Sequence, residues 1–251
     1  MSENRYTKYM RIIGIIVFIV ILISIYLNLT YAAFFNNIKK ADLKSPINAN
    51  EMHIVDPKRP TDKTVIFLGD SLTAGVGAKS EQNLLAVKVR QIYFSSENVY
   101  LINSGNPGAR VSDLIVISEN LKSHNTDLTV IFIGINDLFN RTSLDLFKQD
   151  LSSTVQNMKA NSKRVVLLTI PFLGTSQSVP VPFDSIYNYQ LNRYNSVIKD
   201  VGHVLNVETI DLYTLTQGKL TDPKFFAEDY FHPSDEGYKV LADIIANELK
   251  K

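Results

Sequence analysis

The sequence predicts an α/β domain, a mostly parallel sheet with helices on both faces, preceded by one transmembrane helix. Three observations carry this reading. From Thr64 onward, strand-like runs and stretches of helical spacing alternate five times. Two of the runs, Leu128–Ile133 and Arg164–Ile170, are nearly unbroken apolar stretches, as strands covered on both faces are. Near the start, Ile12 to Leu27 holds no charged residue.

Taken in order, the first element is that apolar run. As a helix its ~16 positions span roughly 24 Å. Asn28 and Thr30 interrupt it, but Leu29 and the stretch from Tyr31 to Phe35 extend it, enough for a ~30 Å hydrocarbon core. It is apolar on every side, unlike the one-faced helix of a soluble domain. Arg5, Lys8 and Arg11 precede it against one acid, Glu3. The excess of positive charge places the N-terminus in the cytoplasm and the rest outside. The segment reads as a retained anchor. The competing reading is a signal peptide cleaved near Ala32, at the small-x-small site Thr30-Tyr31-Ala32. Residues 36–63 are polar, with Pro46, Pro57 and Pro60, and read as a tether.

In the globular part, Thr64–Leu68 is the first strand and Glu81–Phe94 the first helix. Val99–Ile102 and Val111–Leu121 follow as strand and helix. Leu128–Ile133 precedes the amphipathic Ser143–Met158. Arg164–Ile170 is stopped by Pro171, and Ser185–Val201 has helical spacing. Val204–Ile210 reads as the fifth strand and Ser234–Leu249 as the last helix, with Ser234 as its N-cap.

Composition narrows the chemistry. The chain has 251 residues, 45% of them hydrophobic, and a net charge of +1. That balance argues against a nucleic-acid binder. Without cysteine there is no thiol nucleophile, no disulfide and no Cys-ligated metal. His53, His124 and His203 form no paired metal motif. Nothing in the sequence sets an oligomeric state.

In parallel sheets the site lies beyond the C-terminal ends of the strands. There the sequence places Gly69-Asp70-Ser71-Leu72, then Asn103 to Arg110, then Gly134-Ile135-Asn136-Asp137, and, before the last helix, Asp229-Tyr230-Phe231-His232-Pro233. A serine needs a base to act as a nucleophile. His232 is the candidate, with Asp229 three residues earlier to fix its tautomer. The Ser71 backbone N–H at a helix start and the Asn136 amide are candidate oxyanion donors. No Gly-x-Ser-x-Gly elbow, P-loop or dinucleotide fingerprint is present.

These four blocks resemble the SGNH hydrolase superfamily, the GDSL esterases and lipases, over residues 64–251. The resemblance implies a flavodoxin-like α/β/α sandwich with a five-stranded sheet, and ester hydrolysis without a cofactor. It makes Ser71 the nucleophile, and Ser71, Gly108 and Asn136 the oxyanion hole. Gly105 is the alternative register for the glycine. The family usually has a second glycine where Ile135 stands, a departure expected to narrow the rim. The long segment from Gly174 to Tyr189 offers Phe183 and Tyr187 as candidate walls of the substrate pocket. The expected activity is hydrolysis of lipids, small acyl esters or O-acylated envelope polymers. Alternatives are an O-acyltransferase on the same triad and a non-catalytic binding protein on the same fold.

Overall fold

The period-2 alternation of one strand divides the core in two. In β2 (Lys63–Gly69), Val65 and Phe67 enter one buried cluster, and Ile66 and Leu68 the other. A strand apolar on both faces requires a helix layer on each. The computed structural model, which describes residues 2–47, 53–55, 63–172 and 183–251, supplies them. On one face α3 (Leu85–Tyr93) and α9 (Asp235–Leu249) pack against each other, with α8 (Leu212–Thr216) beside α9. On the other, α4 (Val111–Leu121), α6 (Leu144–Lys159) and α7 (Phe183–Leu205) form a continuous layer.

Between them lie β3 (Val99–Gly105), β4 (Leu128–Phe132), β5 (Val165–Leu168) and β6 (Glu208–Ile210), all parallel to β2. The spatial order β3-β2-β4-β5-β6 is second-first-third-fourth-fifth, the flavodoxin-like winding. The order reverses at β2, and its C-terminal residue Gly69 stands in register with Gly105 of β3 and Phe132 of β4.

The expected five parallel strands are present, together with an antiparallel sixth. β1 (His53–Val55) pairs with the outer side of β3. It falls inside the interval read as tether, because three residues between prolines carry no alternation to detect. Other boundaries also move. The helix expected over Glu81–Phe94 begins as a separate 3₁₀ turn at Glu81–Asn83. α7 continues past Val201 to Leu205, carrying His203 in its last turn and not at a strand start. Asn206 then adopts φ +50 to close the helix, so the fifth parallel strand shortens to three residues.

The N-terminal helix α1 runs unbroken over Ser2–Ala41. Its stretch Arg5–Phe34 contains an 18-residue window with a mean hydropathy of 2.9, long and apolar enough for a membrane span or a signal sequence. The polar residues that interrupt the apolar run do not interrupt the helix. The Asn28 amide donates to the Ser24 carbonyl and the Thr30 hydroxyl to the Tyr26 carbonyl, at 2.8 and 2.9 Å. Satisfied within the helix, such groups are tolerated in an apolar setting. At the C-terminal end of α1, Phe34 and Ile38 pack against the core on the face of α4, α6 and α7.

Asn195 of α7 holds the end of β5. Its Oδ1 accepts from Ile170 N–H at 2.8 Å and its Nδ2 donates to the Ile170 carbonyl at 3.0 Å, all buried. Asn195→Ala leaves both backbone groups unpaired, and the expected loss is about 2–4 kcal/mol. Urea denaturation of the two proteins in the same detergent measures it; a loss within error of zero refutes the clamp.

Candidate active site

Asp70 follows β2 and caps α2 (Ser71–Ala74), its Oδ1 accepting from Leu72 N–H at 3.0 Å. Ser71 is therefore the first residue of a helix. Its N–H is one of the donors that a helix leaves without an internal partner. A buried asparagine ties α2 down: Asn103 Nδ2 donates to the Thr73 carbonyl at 2.9 Å, and its Oδ1 accepts from Gly105 N–H at 3.1 Å. Any Cβ at Gly105 would lie 2.1 Å from Ala74 N, so only glycine lets α2 pack so close to β3.

The loop after β3 returns over the site, with Asn106 N–H on the Gly69 carbonyl at 2.9 Å. Gly108 stands exposed at its tip with φ +82 and nothing within 4 Å of where a Cβ would be. Of the two registers considered, Gly105 is packed under α2 and Gly108 faces open space. Asn136 lies in the first turn of α5 (Ile135–Phe139), and its Nδ2 donates to the Ala109 carbonyl at 2.9 Å. The second N–H of that amide remains. Ile135, expected to narrow the rim, is 2% exposed and belongs to the core; the chain there turns its side chain inward.

The histidine comes from the turn before α9. Asp229 Oδ1 accepts from Phe231 and His232 N–H, both at 2.9 Å. Asp229 Oδ2 meets His232 Nδ1 at 2.5 Å, and His232 Nε2 meets Ser71 Oγ at 3.0 Å. Ser71, Asp229 and His232 are all buried. Burial raises the Asp229 carboxyl, but its hydrogen bond to His232, that residue's charge and the two backbone N–H groups outweigh it. The carboxyl is held below its ordinary 3.8. An ionised carboxylate here fixes the imidazole with Nδ1 as donor, leaving Nε2 to accept a proton from the serine.

Two further carboxyls lie beneath the rim. Burial pushes Asp70 from 3.8 up to about 7, with the Leu72 N–H opposing and the Asp137 charge reinforcing. Burial likewise raises Asp137 to about 6, against a hydrogen bond from Val111 N–H. Asp137 thereby joins α5 to the start of α4. Sequence reading took Asn136-Asp137 as a unit but gave Asp137 no role; its signal was the acid beside the candidate donor. Tyr187 stacks on Phe139 at 6.0 Å, and Phe139 packs on Phe231, next to His232. Phe183 opens α7, and its side chain lies outside the described residues. Among the described residues no three of His, Asp or Glu gather as a metal site.

The chain is similar in sequence and fold to known proteins. The model of the GDSL-like lipase/acylhydrolase family matches residues 67–240. A GDSL-like esterase of Mycobacterium tuberculosis is 24% identical over 206 residues, covering 74% of this chain and 61% of that protein. An acetylxylan esterase of Geobacillus stearothermophilus is 24% identical over 213 residues, covering 74% of this chain and 93% of the relative. The solved structure of an acetylxylan esterase from the same organism superposes with a TM-score of 0.60 at 21% identity, over 76% of this chain and 96% of that one.

The raised Asp70 carboxyl has a consequence for stability. Between its ordinary 3.8 and about 7, the folded protein holds a proton that the unfolded chain has released. Stability from this group is therefore full below that window and falls as pH rises through it. Asp70→Asn keeps an acceptor for Leu72 N–H and removes the titration. The variant is expected to lose less stability than the parent between pH 4 and 7. Parallel curves of denaturation midpoint against pH would count against the assignment.

Proposed function

Because the chain belongs to the GDSL-like lipase/acylhydrolase family and is an ester-hydrolysing enzyme, we propose that it acts through an acyl-serine at Ser71. The carrying observation is the continuous hydrogen-bonded line from Ser71 Oγ through His232 to Asp229, at 3.0 and 2.5 Å. Ser71 attacks the ester carbonyl as His232 Nε2 takes its proton. The tetrahedral oxyanion is met by the N–H groups of Ser71 and Gly108 and the remaining N–H of the Asn136 amide. His232 then protonates the leaving alcohol. Water, deprotonated by the same imidazole, releases the acid. Asp229 stays ionised and stabilises the imidazolium.

The charge pattern before the apolar run supports an orientation and, through it, a substrate class. The basic residues Arg5, Lys8 and Arg11 before the apolar run orient α1 with its N-terminus in the cytoplasm. The esterase domain then stands outside, held by α1 as a single-pass anchor. Its substrate is an ester of the cell envelope, either a lipid or an acylated glycan. Likeness to an acetylxylan esterase favours short acyl groups on a sugar.

Ser71→Ala in the full chain is expected to lower kcat on p-nitrophenyl acetate by at least about 10³-fold. Near-parent turnover by that variant would falsify the serine mechanism. Asn136→Ala is expected to lower kcat by roughly 10²–10³ with little change in KM. A KM effect alone would move Asn136 from the oxyanion to substrate binding. Esters of rising chain length then separate the two substrate classes: decline beyond acetyl supports the glycan, and a rise toward long chains supports the lipid.

A further inference from the structure

The last turns of α1 do not merely lead away from the domain. Phe34 contacts Phe139 and Phe231 with ring centroids 5.9 and 5.8 Å apart. Beside this contact lies a cavity of about 690 Å³, walled by Tyr31 and Phe34 of α1 and by Leu138, Leu144 and Tyr187 of the domain. That volume is in the range of roughly 300–1,000 Å³ typical of small-ligand sites. Thr30, Thr142, Ser143 and Gln190 add polar groups to the lining. Arg141, Arg193 and one acid, Asp145, also line it and are all exposed; Arg193 donates to the Gln190 side-chain carbonyl at 3.1 Å and lies over the Tyr189 ring. The Tyr187 hydroxyl is buried and has no hydrogen-bond partner among the described residues. In a native protein such a group calls for a missing partner.

The position of the cavity says which partner. The 30-residue stretch Arg5–Phe34 is about 45 Å long as a helix, against ~30 Å of hydrocarbon. Centred on the uncharged run, its end at Thr30 to Phe34 reaches headgroup level. Ile186 and Tyr189, near the start of α7, add exposed apolar surface at 51% and 64%, as side chains that sit in an interface do. We infer that this cavity binds one anionic phospholipid of the bilayer that α1 spans. An acyl chain lies between Phe34, Leu138 and Leu144, an ester carbonyl accepts from the Tyr187 hydroxyl, and the phosphate lies between Arg141 and Arg193. The inference rests on α1 lying in a membrane, not on the chemistry of Ser71. The bound lipid would fill the junction and hold the rim at the membrane surface.

The test uses the full chain in vesicles of phosphatidylcholine mixed equally with phosphatidylglycerol. Retention on an alkaline wash comes first; release would overturn both the anchor and the site. Native mass spectrometry of the detergent-extracted protein then reads the lipid retained. The expected result is one phosphatidylglycerol per chain, preferred over phosphatidylcholine by at least about tenfold, the factor for one charge-assisted hydrogen bond. Arg141→Gln with Arg193→Gln, two changes at polar lining positions, should bring the preference close to one. Leu144→Trp fills the cavity and should abolish retention, with circular dichroism confirming the fold. Ser71→Ala should keep the lipid while losing hydrolysis, so a failure of the esterase mechanism and a failure of the lipid site are separate results. No retained lipid, no headgroup preference in the parent, or undiminished preference in the double variant overturns the inference.

Discussion

A buried carboxylate has to be met by donors, and Asp229 meets that demand almost entirely within its own turn. Three hydrogen bonds converge on it, two from the backbone of Phe231 and His232 and one from the imidazole. They dictate the shape of the turn. Tyr230 is forced to φ +55, a region that non-glycine residues rarely occupy. The Ala227 N–H on the His232 carbonyl and the Ser234 N–H on the Phe225 carbonyl close it from behind. Ser234 then caps α9, and α9 carries the buried Tyr238, whose hydroxyl donates to the Val76 carbonyl just past α2. The charge that orients His232 thus also positions the helix that packs behind the serine. Replacing Asp229 would leave these backbone donors unpaired as well as freeing the ring, so its effect on the turn and its effect on the imidazole cannot be separated by one substitution.

The rim is stitched together by side-chain amides and carboxyls from strand ends and short helices. Asn136 bonds the loop of Gly108, Asp137 bonds the start of α4, and Asn103 bonds α2. Each tie is short and runs to backbone. An oxyanion site works because its donors are fixed before charge develops, and side-chain-to-backbone ties provide that rigidity without helix or strand geometry. The raised carboxyls of Asp70 and Asp137 show what the arrangement costs: polar groups needed to shape the loops are buried with few compensating charges.

How much of this the sequence carried differed by scale. Ser71, Asn136, Asp229 and His232 were legible because each follows a strand end or precedes a helix, and topology brings such ends together. The five parallel strands were legible because β4 and β5 are apolar on both faces. β1 was not, since three residues cannot display a period. The end of α7 was misplaced because Val204, Leu205 and Val207 read as strand, while Asn206 at φ +50 lets the helix run to Leu205. Ile135 was misjudged because a motif position says which residue departs, not which way its side chain turns. Contacts of α1 were invisible for a different reason. An all-apolar helix has no face pattern, so nothing in it marks Phe34 as the residue that meets the domain.

That last contact changes what an anchor does. A flexible tether gives a domain a volume to explore and leaves its rim free to face any direction. Here Phe34 touches Phe231, and Phe231 packs edge-on against His232 with centroids 5.0 Å apart. Two rings separate the apolar helix from the imidazole. On the proposed reading the catalytic rim is held near the plane of the headgroups, and membrane-borne esters meet it already concentrated in two dimensions. The same contact bears on processing. Cleavage near Ala32 would remove Thr30 and Tyr31 from the cavity wall while leaving Phe34 as part of a frayed end. The aromatic cluster of Phe139, Phe231 and Tyr187 would then lose its cover, and exposing such apolar surface is unfavourable by roughly 25 cal/mol per Å². The packing therefore gives the end of α1 a structural role as the cover of this aromatic cluster.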